Sequence, residues 1–461
     1  MSLLAAAGPQ LSPVGISTGA ATLLVGVVML LHVQFAAFQQ GGAILVPLTD
    51  FLGMVRKDER QSRFAHGLLK TMAVVFAFGT ALAVFAVMVL FTGLWGHFWV
   101  KLLRVMFWPL VIEAGAFVTE VAAIYTLYAL WDRLAAVRPL RIGLGIVLAI
   151  DEFVQMLMIN VVASYMLTPR PAFNVPLILF NPTLVPLEIH RLVGNLAFTG
   201  ALIALVAGVR FLRARTPEER SHADWMGHFG LVIAIALTAL QPLIGWEYLK
   251  ELQLHAYASW YDMMMGGLSV AFLFQIFLLG LIFTAGIFFM WRRVHAAGIR
   301  SPILGICALL SLAAWILAAI PYTVGFTYES AVAASANAPI WQGGTIIPFG
   351  AMIPWKITAL VAMTFVSITA VTVYLKQNSL GHLRWGEARR GQAMLLVTVG
   401  VSVSLIMALM GYIRENGRGP FLITGHMLIN QQQNFQAPTA PGPALNGAPP
   451  SSVGTGPGPQ G

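Results

Sequence analysis

Apolar residues run in long stretches along this chain, and the polar positions gather into short segments between them. A helix that crosses a bilayer needs about 20 mostly apolar residues. Ten stretches meet that length: 17–48, 66–94, 103–130, 140–167, 188–213, 225–247, 263–291, 302–323, 349–375 and 392–413. The pattern predicts an all-α, polytopic transmembrane helix bundle of about ten spans, contained within residues 1–425. From about residue 426 the pattern stops. The segment "NFQAPTAPGPALNGAPPSSVGTGPGPQG" is uncharged and rich in Pro, Gly and Ala, so 426–461 is expected to be a disordered tail. No internal repeat is visible. The first apolar run is long enough to span and follows no basic segment, so a cleavable signal peptide is not expected.

Composition agrees with the pattern. Hydrophobic residues make up 58% of the 461, charged residues only 10%, and the mean hydropathy is +0.78; soluble domains carry about 25% charged residues. The net charge of +9 would suit nucleic acid, but its placement argues for a topology signal instead. Of the 27 Lys and Arg, 18 fall in the segments after spans 1, 3, 5, 7 and 9, among them Arg56, Arg63, Arg141, Arg213, Arg293 and Arg389. Such segments face the cytoplasm. Both termini are then outside, the partner is a lipid membrane, and nucleic acid drops out. Cys307 is the single cysteine. It permits no disulfide within the chain and no c-type haem attachment, so any cofactor must be held by His, Met, Glu or Lys.

Ionisable groups inside spans are costly and mark candidate sites. Glu113 and Glu120 lie seven apart on span 3, on one helical face. Asp151 and Glu152 sit in span 4, His190 opens span 5, His32 is in span 1 and Lys356 in span 9. Glu415 and Arg418 follow span 10 in "GYIRENGRGP". Span 1 also holds "HVQFAAFQQGGAILVPLT", with a Gln39-Gln40 pair and a Gly41-Gly42 pair. Each has a plainer reading: a hydrogen-bonded packing histidine, a buried structural pair of glutamates, a surface ion pair, a lysine that neutralises a carboxylate, or glycines that let another helix come close. The run Met263-Met264-Met265 reads as lipid-facing filler or core rather than a metal site. These residues alone point to a membrane redox protein or an ion-coupled transporter.

Taken together the segments resemble subunit I of the cytochrome bd-type terminal oxidases. "NPTLVPLEIHRLVGNLAFTG" is similar to the family segment that opens a span with Asn-Pro and places a haem-ligating His nine residues on, here His190. "WPLVIEAGAFVTEVAAIYTLYALWDRL" resembles the family's third span, with Glu113, Glu120 and a closing Trp-Asp-Arg-Leu. "GYIRENGRGP" is similar to a Glu-x-Gly-Arg signature and gives Glu415 and Arg418; "SYMLTP" echoes the end of the family's fourth span. The resemblance covers about residues 30–250 and 345–420. It implies haem b ligated by His190, a second haem b on Glu415, and Lys356 and Arg418 meeting haem propionates. Glu113 and Glu120 would line the family's proton route or haem d pocket. It further implies a respiratory oxidoreductase in a bacterial or archaeal inner membrane, with a second membrane subunit and a quinol or a periplasmic c-type cytochrome as donor.

Four departures qualify that expectation. Gly42 stands where the family has the haem d histidine, so haem d in the usual manner and oxygen reduction are both in doubt; His32 is about three turns away. In "MIPWKITALVAM", Lys356 replaces an Arg and Thr358 falls where the family's sixth haem ligand, a Met, should be; Met352 and Met363 are nearby but out of register. The long quinol loop is replaced by the short "QPLIGWEYLKELQLHAYASWYD" and two further spans, and the last family helix by the tail. The alternatives are a non-catalytic haem b membrane anchor of a larger respiratory complex and a haem-free ion-coupled transporter built on the carboxyl groups.

Overall fold

The computed structural model describes residues 15–169, 180–319 and 355–429. Within them the chain runs α1 (Thr18–Arg56), α2 (Glu59–Phe85) with a π-helical extension (Ala86–Phe91), α3 (Gly96–Val105), α4 (Phe107–Leu130), a 3₁₀ turn (Arg133–Val137) and α5 (Arg138–Leu167). It continues through α6 (Leu184–Arg213), α7 (Pro217–Thr238), α8 (Gln241–His255), α9 (Tyr257–Met264), α10 (Ser269–Ala296) and α11 (Pro302–Ala319). The last elements are α12 (Trp355–Ser379), α13 (Arg390–Asn416) and a small antiparallel hairpin, β1 (Phe421–Ile423) with β2 (Met427–Leu428). Among the described residues ten helical segments are long and apolar enough to cross a membrane, as the hydrophobic pattern predicts.

Local chemistry sets the helix ends. Ser17 caps α1 by accepting from the Ala20 N–H at 3.3 Å. The helix then runs eight residues beyond its expected end, to Arg56, because Thr49 and Asp50 find buried partners. Lys57 closes it in the left-handed conformation. α7 opens with a capping box: Thr216 Oγ1 accepts from the Glu219 N–H at 3.2 Å, and the Glu219 carboxylate accepts from the Thr216 N–H at 3.3 Å. The sixth span is two helices, α7 and α8, because Pro242 in the first turn of α8 ends the regular ladder there. The short α3 and the hairpin were not expected. β2 lies just inside the segment read as tail; 430–461 falls outside the described residues.

α6 is the central helix. It packs on α7, α13 and α1, and its apolar window is the most buried of the ten, whereas that of α4 is the least and lies at the periphery. The main core joins Leu45 and Val46 of α1, Leu68 and Met72 of α2, Phe198 and Ala204 of α6 and Phe283 and Phe289 of α10. Met263 and Met264 are buried in a smaller cluster with Leu252, Leu360 and Ile413, so that run is core rather than lipid-facing.

Two ion pairs lock the basic ends of the spans. Arg141 holds Asp50 through both oxygens, at 2.7 and 2.8 Å, while also donating to the Trp131 carbonyl and stacking its guanidinium 4.1 Å from the Trp131 ring. Arg293 meets Asp224 at 2.6 Å and also donates to the Arg384 carbonyl, and Asp224 accepts from the Gly386 N–H at 2.7 Å. The partners of both pairs are almost fully buried. Losing one member of such a pair costs about 3–5 kcal/mol, because the other charge is left stranded.

Candidate functional site

His190 lies in the second turn of α6, at the end of the bundle opposite the two buried ion pairs. It is half-buried, and its Nδ1 is buried with no hydrogen-bond partner. Its carbonyl accepts from Gln241 Nε2 at 3.1 Å, and its ring faces Tyr248 with centroids 6.1 Å apart and planes 22° apart. Arg191, the next residue, donates to Asn160 Oδ1, and Asn160 Nδ2 donates to Glu188 Oε2 at 2.6 Å. The guanidiniums of Arg191, Arg414 and Arg418 all lie within electrostatic range of Tyr248.

Glu415 and Arg418 do come together, at 2.5 Å, from the end of α13. They are not a plain surface pair: Glu415 is half-exposed, but Arg418 is 2% exposed and its Nε has no partner. The hairpin covers this end. Thr424 donates from its N–H to the Met166 carbonyl at 3.0 Å, and Lys101 Nζ donates to the His426 carbonyl at 3.1 Å. Lys356 is fully buried, and its ammonium donates to the Ala318 carbonyl. Thr358 is exposed and turned away from the bundle; Met363 is buried, and Met352 lies outside the described residues.

The glutamates of α4 separate. Glu120 is buried and bridged to α5, where Gln155 Nε2 donates at 3.0 Å both to Glu120 Oε2 and to Asp151 Oδ2. Glu152 comes within hydrogen-bonding reach of Glu120. Gln39 of α1 approaches the same carboxyl without forming a well-aligned hydrogen bond. Glu113, two turns away and half-buried, is outside this group. Glu113 and Glu120 share a face of α4 without meeting; the partners of Glu120 come from α5, where Asp151, Glu152 and Gln155 fall on one face. Among the described residues no three His, Cys, Asp or Glu side chains gather as a metal-binding group.

The Gly-Gly stretch of α1 is filled. A Cβ on Gly42 would lie 2.6 Å from the Met72 sulfur, and Met72 is fully buried. A Cβ on Gly41 would overlap Thr199 and sit 2.7 Å from the Asn195 carbonyl. Gln40 turns to α5 and α6, donating to the Met156 sulfur at 2.6 Å and accepting from Asn195 Nδ2. His32 Nδ1 pairs with the Gly79 carbonyl at 3.1 Å and is a packing residue. Thus the glycines let α2 and α6 approach α1, the plainer of the two readings.

This helical bundle has the fold of the bd-type oxidases. A solved structure, "The structure of bd oxidase from Geobacillus thermodenitrificans", aligns with a TM-score of 0.51 over 86% of this chain and 97% of that one, at 14% identity. The family model for cytochrome bd terminal oxidase subunit I matches residues 21–258, just over half of the sequence. The chain belongs to the cytochrome bd terminal oxidase subunit I family, whose members are respiratory oxidoreductases of the membrane. No curated protein matches the sequence.

Proposed function

We propose that this subunit carries haem b on His190 and passes electrons through it within a membrane respiratory complex. The observation that carries this reading is the partly buried imidazole of His190 at the end of the most buried helix, with the Arg191 guanidinium within electrostatic range. A neutral imidazole suits haem iron, and Arg191, Arg414 and Arg418 supply charge for the two propionates. Bound there, haem b would take up and release one electron at a time. Arg191 and Arg414 take the place in this reading that the resemblance implies for Lys356, whose ammonium donates to the Ala318 carbonyl. A second haem b on Glu415 requires the carboxylate to give up Arg418.

Our reading leaves out haem d held from α1, because Gly42 offers no ligand and Met72 fills the space. Oxygen reduction at a haem d held from α1 is therefore no part of this reading. A second membrane subunit is the expected partner, and a periplasmic c-type cytochrome or a quinol the donor. The donor would approach from outside, since His190 lies away from the basic segments. A tag on the C-terminal tail that proved reachable from the cytoplasm would reverse this orientation.

A second reading has its own observation. Glu120, Asp151 and Glu152 form a buried carboxyl group with no cation paired to it among the described residues, and a carboxylic acid in reach of a carboxylate can hand over a proton. That group serves either a proton route beside the haem or a haem-free ion-coupled transporter. A reduced-minus-oxidised spectrum of the purified protein separates the cases. We expect b bands without d bands. Absence of all haem bands would leave the transporter, and d bands would restore haem d.

A further inference from the structure

The usual way to fix the orientation of a ligating histidine is a hydrogen bond to its second ring nitrogen. His190 lacks it: Nδ1 is buried without a partner. What holds the ring instead is one face of α8. Gln241, Gly245 and Tyr248 are spaced four and three apart, so they stack on one side of that helix. Each meets His190 differently. Gln241 donates to its carbonyl at 3.1 Å. Gly245 leaves open the space beside the ring, since a Cβ there would come within 3.9 Å of His190 Cε1. Tyr248 lays its ring near-parallel to the imidazole.

We propose that this face of α8 is the device that orients the His190 imidazole, with Tyr248 as its positioning residue and Gly245 as the gap that admits the ring. The proposal rests on His190 holding haem b. A side chain at 245 larger than methyl would press on Cε1 and rotate or displace the ring, whereas a methyl makes only ordinary contact. Loss of the Tyr248 ring frees the imidazole to turn about its bond to Cβ. The plane of an axial imidazole affects the electronic anisotropy of ferric haem, so the orientation can be read spectroscopically.

The test uses the purified full-length subunit and measures haem per protein and the electron paramagnetic resonance g-values of the ferric haem. We expect Tyr248→Phe, which keeps the ring, to match the parent in both. Tyr248→Ala should keep its haem but show shifted or broadened g-values. Gly245→Ala should keep its haem, and Gly245→Leu should lose most of it. Parental g-values in Tyr248→Ala, or full haem in Gly245→Leu, would overturn the proposal. If Gly245→Leu fails to accumulate, the Tyr248 pair decides alone. The underlying haem assignment is checked separately by His190→Ala: haem retained there ends that assignment, whereas haem lost there with a silent Tyr248→Ala ends only the cradle.

Discussion

Replacing His190 by alanine is expected to abolish the b-type absorption of the purified subunit while its amount in the membrane stays at the parental level. The two halves of this expectation have different causes. The absorption is expected to disappear because the nearest candidates are engaged: His32 is tied to the Gly79 carbonyl, and Met263 and Met264 are packed among apolar neighbours. The protein survives because His190 is half-buried and its side chain carries no hydrogen bond that the fold depends on. The contact between Gln241 and residue 190 is made by the backbone carbonyl and is untouched. Removing such a side chain costs on the order of 1 kcal/mol, well within what a bundle of this size tolerates. The measurement is a reduced-minus-oxidised spectrum normalised to protein. A spectrum equal to the parent's would show that the iron sits elsewhere.

Gly42→His, which restores the side chain on which the resemblance places haem d, is expected to damage the fold rather than restore a haem site. The added Cβ alone would lie 2.6 Å from the Met72 sulfur, and Met72 has no solvent to move into. Overpacking of this kind costs about 1–3 kcal/mol for a few added atoms, and an imidazole adds more. We expect a lower melting temperature in detergent and no chlorin pigment in the extract. Pairing the change with Met72→Ala should recover part of the lost stability, because the two alterations share one space. Extraction and mass analysis of pigment from the parent should likewise yield no stoichiometric chlorin. A chlorin bound one to one, or a Gly42→His variant as stable as the parent, would sink the argument that Met72 fills this wall.

Much of the architecture was legible because its signal is strong and local. A stretch of some 20 apolar residues has few alternatives, so the ten spans follow from the pattern alone. The site was legible in part, through His190 and the Glu415–Arg418 spacing, which adjacent turns bring together. What could not be read are the partners across helices. Nothing in the spacing of α4 says that Glu120 meets Gln155 while Glu113 does not, since that depends on how α4 rotates against α5. Gln241, Gly245 and Tyr248 share a helical period that is visible in the sequence, but only the packing of α8 on α6 makes it a cradle. The charge count is silent on pairing: Arg141 and Arg293 fall in the basic segments, yet both are buried with an aspartate. A positive count marks a side of the membrane without distinguishing a solvated arginine from a paired one.

The Asp224–Arg293 pair has a consequence for how the protein is made. Its four groups come from three separated stretches: Asp224 from the start of α7, Arg293 from the end of α10, and the Arg384 carbonyl and Gly386 N–H from the segment before α13. A chain emerging from the ribosome holds the aspartate long before it holds the arginine, and the arginine well before the backbone groups that complete the arrangement. Until residue 386 has been synthesised, no nascent chain contains the full set. The region shared with the family, residues 21–258, therefore contributes one carboxylate to a closure that only later sequence can finish. Completion of the Asp224–Arg293 arrangement is thus a late step, set by the order of the chain itself.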